Sequence, residues 1–137
     1  MYQRIMVPVD LAHLDRLDKA LTTASDIAKH HGAPVSYVGI TSSQPSAVAH
    51  TPEEFEDKLI AFAQDQAARH GLETSAKAYV THDPAVDLDQ TLLHAISDTG
   101  ADLVVMASHV PGLIEHIFAS NAGYVASHAT VSVFVIR

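Results

Sequence analysis

Apolar residues fall along the chain in two alternating patterns. Leu14, Leu17, Leu21, Ala24 and Ala28 recur at helical spacing, as do Phe55, Leu59, Phe62 and Ala63, and then Leu88, Leu92, Ala95 and Ile96. Such spacing lays a single apolar stripe along a helix. Between these runs lie Ile5 to Val9, Val35 to Ile40, Ala76 to Val80, Leu103 to Met106 and Val131 to Ile136. Several are continuous apolar stretches, the mark of strands covered on both faces. Gly32, Gly71 and Gly100 each follow a helical run and precede a strand-like one, where a helix end takes the left-handed conformation. Thr51-Pro52-Glu53-Glu54 predicts a capped helix start with a capping box, and Asp83-Pro84 predicts a second capped start. The order is β-α-β-α-β-α-β-α-β. Regular alternation with crossover helices predicts a doubly wound, parallel α/β sheet with helices on both faces. The connection from Thr41 to His50, rich in Ser and small residues, reads as a mobile surface loop.

Length and charge then narrow the class. The 137 residues support one core, so the chain reads as a single domain over 1–137. Sixteen Asp and Glu against eight Lys and Arg leave a net charge of -8. That balance repels phosphate backbones and anionic lipid headgroups, which argues against broad nucleic-acid or membrane-surface binding. Cysteine is absent, excluding disulfide scaffolds, thiol catalysis, iron–sulfur clusters and thiolate zinc sites. No apolar run nears the roughly 20 residues of a membrane span. The opening Met1 to Asp10 reads as a strand, not a signal peptide, and the expected location is cytoplasmic.

Ligands of open α/β sheets bind beyond the carboxyl ends of the strands, where strand order reverses. The candidates there are Pro8, Val9 and Asp10 after the first strand, Ile40 and Thr41 after the second, and Ala107, Ser108 and His109 after the fourth. Ala119, Ser120, Asn121 and Ala122 stand near the start of the last helix, where small and hydroxylated residues let backbone N–H groups face an anion. Asp10 carries two readings, a helix cap and a ligand contact. Val9-Asp10-Leu11 has no GxGxxG, against a Rossmann dinucleotide site. A response-regulator receiver would need an acceptor Asp after its third strand, where Val80-Thr81-His82 stands. The ten histidines are scattered, show no HExxH and give no metal site.

Met6-Val7-Pro8-Val9-Asp10, Met106-Ala107-Ser108-His109 and Ala119-Ser120-Asn121-Ala122 together resemble the universal stress protein family. The nearest pattern is a small branch with A-S-H-R-P, seven residues, then G-S-N-A, and this chain fits it without a gap. The resemblance implies an adenine nucleotide alpha hydrolase-like fold, strand order 3-2-1-4-5, and a homodimer through 131–136. It also implies an adenine nucleotide, ATP or AMP, with Mg²⁺ arriving on the phosphates. By matching position, Pro8, Val9 and Asp10 would lie beside adenine and ribose, and the Ile40 backbone would bond the adenine edge. Met106, Ala107, Ser108 and His109 would line the path to the phosphates, with Ser120, Asn121 and Ala122 holding them. The edge formed by Val131 to Ile136 independently favours self-pairing, since an apolar edge invites a partner.

Two departures bear on this expectation. Val110 replaces the branch's Arg, removing a fork for phosphate, and Ala119 replaces a glycine. No Lys or Arg occurs from Ala78 to Ile136. The leading expectation is a dimeric stress-response or regulatory protein that binds an adenine nucleotide without efficient turnover and serves an unidentified protein partner. The alternatives are the same fold with nucleotide binding lost, acting purely as a dimeric interaction protein, and a slow ATP hydrolase. The last suffers from the missing cations that phosphoryl transfer needs.

Overall fold

A computed structural model describes residues 1–108 and 121–137. It contains β1 (Ile5–Pro8), a 3₁₀ segment (Leu11–Arg16), α1 (Asp18–His31), β2 (Val35–Ser42), α2 (Pro52–His70) and β3 (Thr74–Thr81). There follow α3 (Pro84–Thr99), β4 (Leu103–Ala107), α4 (Ala122–His128) and β5 (Ser132–Ile136). The five strands form one sheet in the order β3-β2-β1-β4-β5, and all neighbours run parallel. This is the predicted doubly wound architecture. No helix among the described residues is long and apolar enough to cross a membrane.

Strand period two divides the core between the two faces. Ile5, Val7, Val35, Tyr37, Leu103 and Val105 pack against α1 and α2 through Leu21, Ala24, Ala28, Phe55, Leu59 and Ala63. Met6, Val38, Val104 and Met106 pack on the other face against Leu88, Leu92, Ala95 and Ile96 of α3 and Ala122 and Val125 of α4. Both side-chain caps form, but the capping box does not close, since Glu54 reaches past Thr51 to the His50 N–H. Thr51 Oγ1 accepts from the Glu54 N–H at 3.1 Å, and Asp83 accepts from the Ala85 N–H at 3.2 Å. Gly32 and Gly71 close their helices at φ 64°.

Several boundaries differ from the sequence reading. α1 begins at Asp18, so Leu14 belongs to the preceding 3₁₀ segment. Asp10 caps that segment separately and His13 leaves helical dihedrals (φ -137°, ψ 42°), a break that apolar spacing does not register. β1 stops at Pro8, before Val9. β2 and β3 are longer than their apolar runs, pairing from Val35↔Thr74 to Ser42↔Thr81. Backbone hydrogen bonds extend that ladder through polar side chains.

The centre of the sheet is parted at its carboxyl edge. β1 pairs with β2 from Ile5↔Val35 to Pro8↔Val38, but with β4 only at Ile5↔Leu103 and Met6↔Val104. The N–H groups of Ile5 and Val9 donate to the carbonyls of Pro34 and Val38 at 3.0 and 2.8 Å. Odd positions of β1 therefore face β2, even positions face β4, and Pro8 has no N–H to offer β4. β4 continues alongside β5 to Ala107↔Ile136. The amino edge of the same seam is tied. There the Asp102 carboxylate accepts from the N–H groups of Gln3 (3.1 and 2.9 Å) and Arg4 (3.0 Å).

Candidate functional site

A cavity of about 280 Å³ opens at the carboxyl edge of the sheet, close to the lower bound of ordinary small-molecule sites. Val9, Asp10, Leu11 and Ala12 form one wall, and Ile40, Thr41 and Ser42 at the end of β2 form another. Ser46, Ala47 and Val48 of the following loop, Phe55 of α2, and Pro84 and Leu88 of α3 complete it. Right-handed crossovers explain this company, because they start each helix at the carboxyl edge of the sheet. The caps at Thr51 and Asp83 thus deliver the first turns of α2 and α3 to the same place.

Each wall is held by identifiable contacts. A Cβ on Gly39 would lie 2.9 Å from two atoms of the Phe55 ring, so a glycine lets that ring settle on β2 where a side chain would push it away. The Ser46 N–H donates to the Ala49 carbonyl at 2.8 Å. Glu54 Oε2 accepts from the His50 N–H at 2.9 Å, and Lys58 Nζ donates to the Val48 carbonyl while pairing with Glu54 at 3.3 Å. The His50 N–H and then Lys58 hold the Glu54 carboxyl below the usual carboxylate range. These bonds tie the connection from Thr41 to His50 to α2 at Val48 and His50.

Asp10 is 8% exposed. Its Oδ1 accepts from the Ala12 N–H at 3.0 Å, and its Oδ2 meets His13 Nδ1 at 2.8 Å. The capping reading of Asp10 is therefore present in the structure, and Asp10 also lines the cavity. Ile40 lines it too, and the ladder gives its backbone a direction. The Val38 carbonyl faces β1, where it accepts from Val9. Two residues on, Ile40 turns its N–H and C=O the same way, beyond the last paired residue of β1.

The remaining predicted site residues are dispersed around this centre. Pro8 and Met106 are buried at the ends of β1 and β4. Ala107 and Ser108 are half-buried at the end of β4. The Ser108 N–H donates to the Ile136 carbonyl at 2.7 Å, whereas its Oγ is buried with no hydrogen-bond partner among the described residues. Asn121 precedes α4, and Ala122 is buried in the same core cluster as Met106. His109, Ala119 and Ser120, together with the departure at Val110, lie outside the described residues. Sequence reasoning missed Ser42, Ser46, Phe55, Pro84, Leu88 and the partner His13. The capped starts of α2 and α3 were a usable signal for Phe55, Pro84 and Leu88, since those turns must begin at the ligand edge. His13 had none, because its ring meets Asp10 only through a break in the 3₁₀ segment.

The arrangement suits a flat, largely apolar molecule with a polar rim. Val9, Phe55 and Leu88 offer apolar faces, while Asp10, Thr41, Ser42 and Ser46 offer a few directed polar groups. The Ser108 hydroxyl at the end of β4, without a partner among the described residues, is a donor and acceptor suited to an oxyanion. Sheet order and site together define an open α/β protein with a cavity beyond the carboxyl ends of β1 and β2, the edge where such folds hold ligands. The universal stress protein family pattern matches residues 1–137, and the chain belongs to that family. It is 27% identical to universal stress protein G of Salmonella typhimurium over 100% of both chains. A universal stress protein structure from Archaeoglobus fulgidus superposes with TM-score 0.71 at 22% identity, covering 100% of both chains. Another from that organism, in complex with dAMP, gives TM-score 0.67 at 23% identity, covering 99% of this chain and 98% of that one.

Proposed function

We propose that the cavity binds an adenine nucleotide, ATP or AMP, and that the protein acts as a dimeric stress-response or regulatory protein without efficient turnover. The observation that carries this reading is the cavity itself, opened beyond the carboxyl ends of β1 and β2 and walled by Asp10, Ile40 and Phe55. A family relative of the same fold holds dAMP. Adenine would lie between Val9 and Phe55 with its edge at the Ile40 backbone, and ribose would lie near Asp10. Met106 and Ala107 would border the way to the phosphates, and Ser108 would meet them, with His109, Ala119, Ser120, Asn121 and Ala122 assigned there by sequence match.

The phosphate end is poor in positive charge, since no Lys or Arg occurs from Ala78 to Ile136. Hydroxyls, N–H groups and a Mg²⁺ held by phosphates and water would serve there. The same shortage disfavours phosphoryl transfer. Dimerisation is supported by the sheet edges. The edge at β3 carries Lys77, a residue type that blocks edge pairing, whereas β5 carries no charge and leaves Phe134 46% exposed. The cytoplasm remains the proposed location.

Titration of the purified protein with AMP and with ATP–Mg²⁺ tests the proposal, phosphate release being followed in the same samples. Dissociation constants between about 1 µM and 1 mM, with negligible release, are expected. No binding at millimolar nucleotide would favour a pure interaction protein. Rapid release abolished by Asp10→Ala would instead make it a hydrolase.

A further inference from the structure

The carboxylate in the cavity wall has two anchors. One is the Ala12 N–H, 3.0 Å from Asp10 Oδ1. The other is His13, whose Nδ1 lies 2.8 Å from Oδ2. A carboxylate only accepts, so the bonding ring nitrogen carries the hydrogen. The terminal torsion of Asp is broad, and a single hydrogen bond would leave the group free to swing. His13 removes that freedom, and the backbone is shaped for it. His13 departs from the 3₁₀ geometry on either side (φ -137°, ψ 42°), is 27% exposed where Asp10 is 8% exposed, and sits directly after the cavity residues Leu11 and Ala12. Of the roughly four lone-pair directions of a carboxylate, the two anchors take one on each oxygen. The remaining directions are fixed, on a residue that lines the cavity.

We infer that His13 is a positioning residue that makes the site select a sugar with vicinal hydroxyls, by aiming the Asp10 carboxylate to accept from that diol. The inference rests on the nucleotide reading of the cavity and adds what chooses the sugar. His13 need not touch the nucleotide. It acts through Asp10.

The test compares AMP with 2′,3′-dideoxy-AMP, which lacks both hydroxyls, on the full chain. Wild type is expected to prefer AMP by about tenfold or more, the loss of a hydrogen bond to a charged group. His13→Ala is expected to bring that preference below about threefold, weakening AMP while leaving the dideoxy compound as it was. His13→Asn places its amide nitrogen where Nδ1 stands and is expected to restore the preference. His13→Gln places its nitrogen nearer the Nε2 position and is expected not to. Should His13→Ala unfold, the Asn and Gln variants alone carry the comparison. Equal weakening of both nucleotides, an unchanged preference, full rescue by Gln, or a wild type that binds both compounds equally would each overturn the inference. A wild type that binds neither compound would overturn the nucleotide reading itself, before any variant is made.

Discussion

Gly39 lies beneath the ring of Phe55, and any side chain there would have to displace that ring. A methyl group would stand 2.9 Å from ring atoms Cε1 and Cζ and 3.2 Å from Leu59 Cδ2. Gly39→Ala is expected to cost about 1–3 kcal/mol by overpacking, seen as a lower denaturation midpoint at unchanged slope. Asp102 makes the second residue-scale prediction. Burial would raise its carboxyl, but the N–H groups of Gln3 and Arg4 outweigh that and hold it below the usual value near 4. A depressed native pKa means that the unfolded chain binds the proton more readily. The stabilisation is thus complete above about pH 4 and disappears as pH falls through the native value. Asp102→Ala is expected to lose about 1 kcal/mol at neutral pH, a modest figure because solvent screens the group. It is also expected to show a shallower loss of stability on acidification than wild type, measured by denaturant unfolding across pH 2 to 7. Neither residue declares itself in sequence. Gly39 sits inside an apolar run and Asp102 in a polar connection, and both act on partners from other elements.

Among the elements, the helices were the most legible. Thr51-Pro52 and Asp83-Pro84 start α2 and α3 where the caps indicate, and Gly71 and Gly100 end them. The start of α1 was not legible, since Leu14 keeps the apolar rhythm across the separate turn that Asp10 caps. Strand centres were found and strand ends were not, because the last rungs of β2 and β3 pair Thr41 and Ser42 with Val80 and Thr81. The site divides in the same way. Val9, Asp10 and Ile40 follow from the rule that strand carboxyl ends carry ligands, whereas Ser46 and Phe55 reach the cavity only when the loop folds back on α2. That fold-back has its own prediction. Glu54→Ala removes the acceptor of the His50 N–H and the partner of Lys58. Amide exchange at His50 and proteolytic cleavage within 43–50 are expected to accelerate several-fold, while global unfolding stays near the wild-type midpoint.

For the molecule as a whole, the two borders of the sheet are unequal. Lys77 guards one, while the other shows Phe134 and no charge. If two copies pair along β5, Phe134→Glu sets like charges across the two-fold axis. The variant is then expected to sediment at the mass of one chain at micromolar concentration, against twice that for wild type. Sequence could indicate this border because it is a local run of apolar residues. It could not reveal the parting beside Pro8, which depends on the direction in which alternate N–H groups point. The parting has a mechanical side. Asp102 acts as the spring of a clothes-peg at one end of the central strands, and the missing N–H of Pro8 keeps the jaws ajar at the other. Only two rungs, Ile5↔Leu103 and Met6↔Val104, join the jaws. A guest gripped between them would add the cross-links the backbone leaves out, and bracing β4 would stiffen the border strand beside it.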